Sequence, residues 1–402
     1  MAKKIYLCYC NNDFLSSLKV EQNISRLNYL LSLYGMTMDD LLSTINKGRK
    51  HLITQNEVFS KDIDISILKK IDKIFDKGLH FYLDPKTLVQ TAEASIFFRK
   101  NSFGTELNIG ARKIVTQFED FKISFSAIAK LADINLNRNL PVYNIGQSAK
   151  NVANQLRKLI YPNHQTKTRK DFLTAIIGKL AERNILVFEF VETWNKKEKA
   201  NIDGFFLCPN VIVLKRNQNA FNREIFTLLH ELGHYLLNEE EIEQVDVLNT
   251  VNSNLSEVER WCNDFAYYFL AGDYSAIIDN MDMADASNDY YHETIEEISQ
   301  KVNLSRIALY TRLLLQGKIS PHNYNLVKTD LDEQYHNWLQ EKKERDLKKV
   351  DGRKQGGSSP IPIKSPLLIS TIQTAFYEGV INESEVCKTL NIPPTKLDKF
   401  IQ

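Results

Sequence analysis

The stretch Arg223-Glu224-Ile225-Phe226-Thr227-Leu228-Leu229-His230-Glu231-Leu232-Gly233-His234-Tyr235-Leu236-Leu237 reads as one amphipathic helix and carries His-Glu-x-x-His. Spacing of i and i+4 sets His230 and His234 one above the other on a single helical face, about 6 Å apart. Two imidazoles so placed can share one tetrahedral Zn²⁺. Glu231, one position further round, can then act as general base toward a water at the metal. The bland alternative is a buried helix that happens to contain two histidines, and the surrounding chain has to decide between the two.

Two histidines leave a zinc site incomplete. Beyond His234, Ser256-Glu257-Val258-Glu259-Arg260-Trp261-Cys262-Asn263-Asp264-Phe265-Ala266-Tyr267-Tyr268-Phe269-Leu270 reads as a second amphipathic helix, with Glu259 25 positions after that histidine. Glu257, Glu259 and Asp264 are its acidic options, and they do not share a face. Glu259 and Asn263 do share one, which lets Glu259 ligate while Asn263 orients a histidine. Glu257 can instead face solvent or support the helix N-terminus.

Upstream, Ala149–Leu159 and Phe172–Glu182 have helical periodicity. Asn184–Phe190, Gly204–Cys208 and Asn210–Lys215 read as strands. Helix, helix, strands and then the His-Glu-x-x-His helix is the order of an α+β, predominantly helical fold with a small sheet, the zincin-like layout. In that layout an extended substrate adds to an edge strand over the metal cleft. The run Val211, Ile212, Val213 and Leu214 is the candidate edge.

The 402 residues exceed the usual single-domain size, and 43% hydrophobic with 25% charged residues is an ordinary globular composition. A net charge of +1 gives no global case for nucleic-acid binding. Met1 to Cys10 lacks the apolar core and cleavage site of a signal peptide, and no run reaches the length of a membrane span. Five scattered cysteines fit a reducing, cytoplasmic setting better than a disulfide framework. The expected organisation is a helical helix-turn-helix-like domain over 1–90 and a connecting region over 91–147. A catalytic domain over 148–320, a charged helix and flexible linker over 321–365, and a small helical module over 366–402 complete it. In the first domain, helix 23–34, Gly35 and the Thr37-capped second helix look like the opening of a helix-turn-helix. Lys47, Arg49 and Lys50 lie where a recognition helix should follow, although the periodicity of 47–61 is poor. Contact with DNA through this region is therefore one expectation, and a small bundle used for protein contacts is the other.

Phe226–His234 and Glu259-Arg260-Trp261-Cys262-Asn263-Asp264-Phe265-Ala266 resemble the ImmA/IrrE family of metallopeptidases, whose second motif reads Glu-x-x-Ala-Asn-x-Phe-Ala. Cys262 stands where that pattern has alanine. Phe269-Leu270-Ala271-Gly272 lacks the proline that usually follows, which leaves the exit of this helix open. Gly204-Phe205 is also similar to the family's approach to the metal helix. The resemblance covers about residues 148–320, with a degenerate XRE-type helix-turn-helix region before it. It implies a gluzincin-like peptidase with His230, His234 and Glu259 as zinc ligands, Mn²⁺ as the alternative metal, and Glu231 as base. Family members often cut a helix-turn-helix repressor of a mobile element or stress regulon, so an XRE-family repressor is the expected protein substrate. Tyr267, Tyr268 and His292 are candidate oxyanion donors, each of which packing or exposure explains more simply. The competing reading is a non-proteolytic DNA- or partner-binding regulator, an anti-repressor with a structural or sensing metal. Glu231 favours the enzyme, because a structural site has no use for a base and prefers a fourth protein ligand.

Overall fold

The computed structural model describes residues 18–90, 95–100, 106–162, 167–192, 199–216, 221–242, 255–348 and 360–401. The N-terminal residues 1–17, the stretch 243–254 and the linker 349–359 lie outside them. The chain divides into two compact units, Met1–Ser102 with Leu107–Gln117, and Phe103–Glu106 with Phe118–Gln402. Among the described residues no helix is long and apolar enough to cross a membrane.

The first unit contains β1 (Lys19–Glu21), α1 (Ile24–Leu33), α2 (Met38–Asn46), α3 (Gln55–Val58), β2 (Asp62–Asp64), α4 (Ile65–Phe75), α5 (Leu79–Leu83), α6 (Ile96–Arg99) and the start of α7 (Ile109–Leu131). Gly35, at φ +57°, ends α1, and Thr37 with Asp40 forms a capping box on α2, so two helices are joined by a short turn. Leu27, Leu30, Leu41, Leu68 and Ile71 form its core. The expected recognition helix is absent from 47–61. That segment supplies only the single turn α3 and then β2, which pairs antiparallel with β1. The reason is local: the buried Ile53 and Val58 stand five apart, off the helical period, and the Asn46 side chain ties down both N–H and C=O of Ile53. Lys47, Arg49 and Lys50 are exposed on that loop.

In the second unit α8 (Ala149–Ile160) and α9 (Arg169–Ala181) precede β3 (Leu186–Phe190), β4 (Gly204–Leu207) and β5 (Val211–Lys215). There follow α10 (Phe221–Leu237), α11 (Glu257–Ala271), α12 (Ser275–Asp279), α13 (His292–Lys301), α14 (Arg306–Leu315), α15 (Pro321–Lys348), α16 (Pro366–Tyr377), α17 (Glu383–Leu390) and α18 (Asp398–Ile401). The fold is α+β and predominantly helical, as its element order implies.

The sheet runs in the order β3-β5-β4, with β3–β5 parallel and β4–β5 antiparallel. The expected substrate edge is therefore misplaced: Val211, Ile212, Val213 and Leu214 form the central strand, bonded on both sides. The continuous apolar run that makes 211–214 conspicuous is what a doubly covered central strand requires. The edge nearest the metal helix is β4. Phe118 of α7 packs on Phe188 and Phe205 on one face of the sheet, and Phe206 meets Tyr235 of α10 on the other.

Helix α10 is buried along nearly its whole length from Glu224 to Leu237, as an interior helix should be. Two devices fix it. Arg216, at the end of β5, reaches both Glu189 of β3 and Glu224 in the first turn of α10, all three side chains 2% exposed. Glu189 also accepts the backbone N–H groups of Ile363 and Lys364, so the C-terminal module is docked on the sheet beside that cluster. At the other end Asn238 adopts φ +57°, and the N–H of Glu239 turns back to the carbonyl of His234.

Gly233 sets how closely α10 and α11 pack. A Cβ there would lie 3.0 Å from Cα, Cβ and Sγ of Cys262. Two of those atoms belong to the backbone and its first carbon and cannot swing aside. Gly233→Ala is expected to lower unfolding stability by about 1–3 kcal/mol despite alanine's better helix propensity, which urea denaturation would measure. The exit of α11, left open by the missing proline, is made by Gly272 at φ +52°.

Candidate metal centre

Helix α11 begins with Ser256, whose hydroxyl accepts the backbone N–H of Glu259. Ser-x-x-Glu is the capping-box pattern, in which the glutamate normally returns to the cap. Here the Glu259 carboxylate turns to the histidines instead: Oε2 lies 3.1 Å from His230 Nε2 and Oε1 2.9 Å from His234 Nε2. The two Nε2 atoms are 3.1 Å apart. All three side chains are 1–2% exposed. Glu257, the competing ligand, is solvent-exposed at the helix start, and Asp264 is paired with Arg312 at 2.5 Å.

This triangle fits a small cation. Tetrahedral ligands at about 2.0–2.1 Å from zinc lie about 3.3–3.4 Å apart, close to the spacing found. The hydrogen-bond pattern points the same way. His230 Nδ1 is 3.0 Å from the side-chain oxygen of Asn263, so it carries the proton and donates. In the neutral ring, Nε2 then presents a lone pair to a carboxylate oxygen and to a second imidazole. A cation at the centre resolves that repulsion, and Asn263 holds the ring in the ligating tautomer.

Without a cation, a proton takes its place. Burial opposes the imidazolium of His230, but the Glu259 carboxylate outweighs it by charge and hydrogen bond, with Glu231 and Asn263 adding, and raises the group to about 9. Glu259 is penalised by burial as well, yet the two histidines hold it well below the usual carboxylate range. His230 is thus protonated at neutral pH in the metal-free protein and must lose that proton to ligate. Metal binding at pH 7 should release about one proton, and affinity should weaken about tenfold per pH unit below 9. Calorimetry in buffers of different ionisation enthalpy measures the first, and chelator competition the second.

Glu231 is 2% exposed and faces β4. A Cβ on Gly204 would lie 3.2 Å from Glu231 Cγ, 2.7 Å from Thr227 Cγ2 and 3.0 Å from the Val213 carbonyl, so only glycine lets the strand pass this close. The candidate oxyanion donors separate. Tyr267 follows Glu259 and Asn263 on one stripe of α11, and its buried hydroxyl has no hydrogen-bond partner among the described residues. The Tyr268 hydroxyl accepts from Arg312 at 2.8 Å, and His292 Nδ1 lies 2.9 Å from the Tyr310 hydroxyl, so both are engaged locally. Arg312 is not legible from sequence as part of this neighbourhood, since 48 positions separate it from Asp264.

A small mixed sheet over a buried His-Glu-x-x-His helix, with a glutamate from the next helix closing on both histidines, is the layout of a zincin-like domain. Residues 181–314, from the end of α9 into α14, match the peptidase M78 family, described as the IrrE N-terminal-like domain. The matched segment holds all three members of the triad. No curated protein and no solved structure matches the chain.

Proposed function

We propose that the protein is a zinc-dependent endopeptidase that cuts a helix-turn-helix repressor and so relieves repression. The observation that carries the catalytic half is the convergence of His230, His234 and Glu259 on one point, with Glu231 on the same helix and buried beside the sheet edge. Two imidazoles and one carboxylate are a donor set suited to Zn²⁺, and three protein ligands leave room for a substrate or water. When bound, the ion supplies Lewis acidity toward the scissile carbonyl and the attacking water.

The chain's own residues do the rest. Glu231 accepts the proton of the water as its oxygen attacks the carbonyl carbon, and delivers it to the amide nitrogen as the C–N bond breaks. Asn263 keeps His230 oriented through Nδ1. The low-dielectric surroundings make each of these interactions stronger than in water. An extended peptide adds to β4 by main-chain hydrogen bonds. This strand pairs on one side alone among the described residues, and its Gly204 brings it against Glu231. The repressor as substrate rests on what the family resemblance implies.

The test is to incubate the full-length protein with Zn²⁺ or Mn²⁺ and purified XRE-type repressors, and to identify products by mass spectrometry. Metal-dependent cleavage at one site, abolished by chelator, is the expected result. Release of a repressor from its operator with the repressor intact would favour the anti-repressor reading instead.

A further inference from the structure

Asn263, which holds His230, also lines a pocket shared by α10, α11 and α14. Its apolar wall is Phe226, Leu304, Ala308 and Leu315. Its polar wall adds Tyr267, Asp264 and Arg312.

Two donors on that wall are unused. The Tyr267 hydroxyl, on a side chain 5% exposed, and Arg312 Nε are both buried without a hydrogen-bond partner among the described residues. Buried polar groups are nearly always paired, and leaving one unmade costs more than an average hydrogen bond contributes. Burial also pushes the Tyr267 phenol far above its ordinary value, so it stays a donor at any working pH. The rest of Arg312 is occupied: Nη1 bonds Asp264 at 2.5 Å, Nη2 bonds the Tyr268 hydroxyl at 2.8 Å, and the guanidinium lies 4.6 Å from the Tyr267 ring centre. Because Asp264 already answers the charge of Arg312, a second carboxylate in the pocket would meet Asp264 at close range. A neutral acceptor would not.

We propose that this pocket receives an uncharged acceptor oxygen on a short apolar stem, of which a glutamine side chain is the peptide form. The stem packs on Phe226, Leu304 and Leu315, and the amide oxygen accepts from Tyr267 and Arg312 Nε. The amide nitrogen donates toward Asp264. Only the source of this group rests on the peptidase reading. A substrate residue near the scissile bond and a free small ligand share the same chemistry.

Full-length protein carrying Glu231→Gln and loaded with zinc separates binding from turnover. The probes are the N-acetyl methylamides of glutamine, glutamate and norleucine, titrated by calorimetry. The glutamine amide is expected to bind about tenfold tighter than the other two, and Tyr267→Phe to remove about tenfold of that affinity. Tyr267→Phe should melt no lower than its parent, since it deletes an unsatisfied hydroxyl and keeps the ring. Equal binding of the three probes, or an unchanged glutamine affinity in Tyr267→Phe, overturns the proposal. Displacement of the amide by a glutamine-containing peptide assigns the pocket to substrate. Simultaneous binding of both assigns it to a separate ligand. Each of these keeps the pocket chemistry, and neither depends on hydrolysis.

Discussion

Glu231→Gln is expected to retain the metal and to lose peptide hydrolysis by about 10²–10⁴-fold, the usual contribution of a positioned general base. The substitution is nearly isosteric and keeps the close approach of Glu231 to Gly204. It removes only the capacity to accept a proton and hand it on. None of the three convergent side chains is altered, so metal content after gel filtration should match the parent. The pairing of the two readouts matters, since a misfolded variant would lose both. Cleavage of the same protein target by the variant at the parental rate would sink the assignment of Glu231 as base.

Glu259→Ala should lower metal affinity by more than about a hundredfold, beyond what loss of an outer-shell partner costs, while Glu257→Ala leaves it unchanged. The two glutamates are two positions apart on α11, but one is buried against both histidines and the other faces solvent. Without the Glu259 carboxylate the largest opposition to the burial of the His230 imidazolium is gone, and two neutral nitrogens alone make a weak, incomplete site. Competition against a chromogenic chelator ranks the two variants directly. A stronger loss from Glu257→Ala would show that the ligand lies in the first turn of the helix instead.

The His-Glu-x-x-His helix is legible in the amino-acid sequence because its information is local. His230 and His234 at i, i+4, Glu231 between them and the apolar positions around them are properties of one helix. Glu259 and Asn263 are legible for the same reason: the same spacing puts them on one stripe, and burial then separates Glu259 from Glu257. Strand existence is legible too, and strand position is not. Val211–Leu214 stands out as an apolar run, but apolarity reports how many faces are covered, not which neighbour lies on each side. The order β3-β5-β4 depends on pairings between segments whose sequences do not encode their partners. At 47–61 the basic cluster suggests a recognition helix, whereas the spacing of Ile53 and Val58 and the Asn46 side chain produce a loop and a single turn.

The sequence by itself determined the donor set of the candidate metal site. It specified two histidines and a glutamate on one stretch of helix, and a carboxylate–asparagine pair on the next helix. Tertiary structure decided what lies around that chemistry. It brought Glu259 within about 3 Å of both histidines, made β4 the margin beside Glu231, and carried Arg312 across 48 positions to Asp264 and 44 to Tyr268. The physical reason is range. Helical periodicity fixes geometry among residues a few positions apart, while contacts between distant segments are set by how whole faces pack, and no short motif records that.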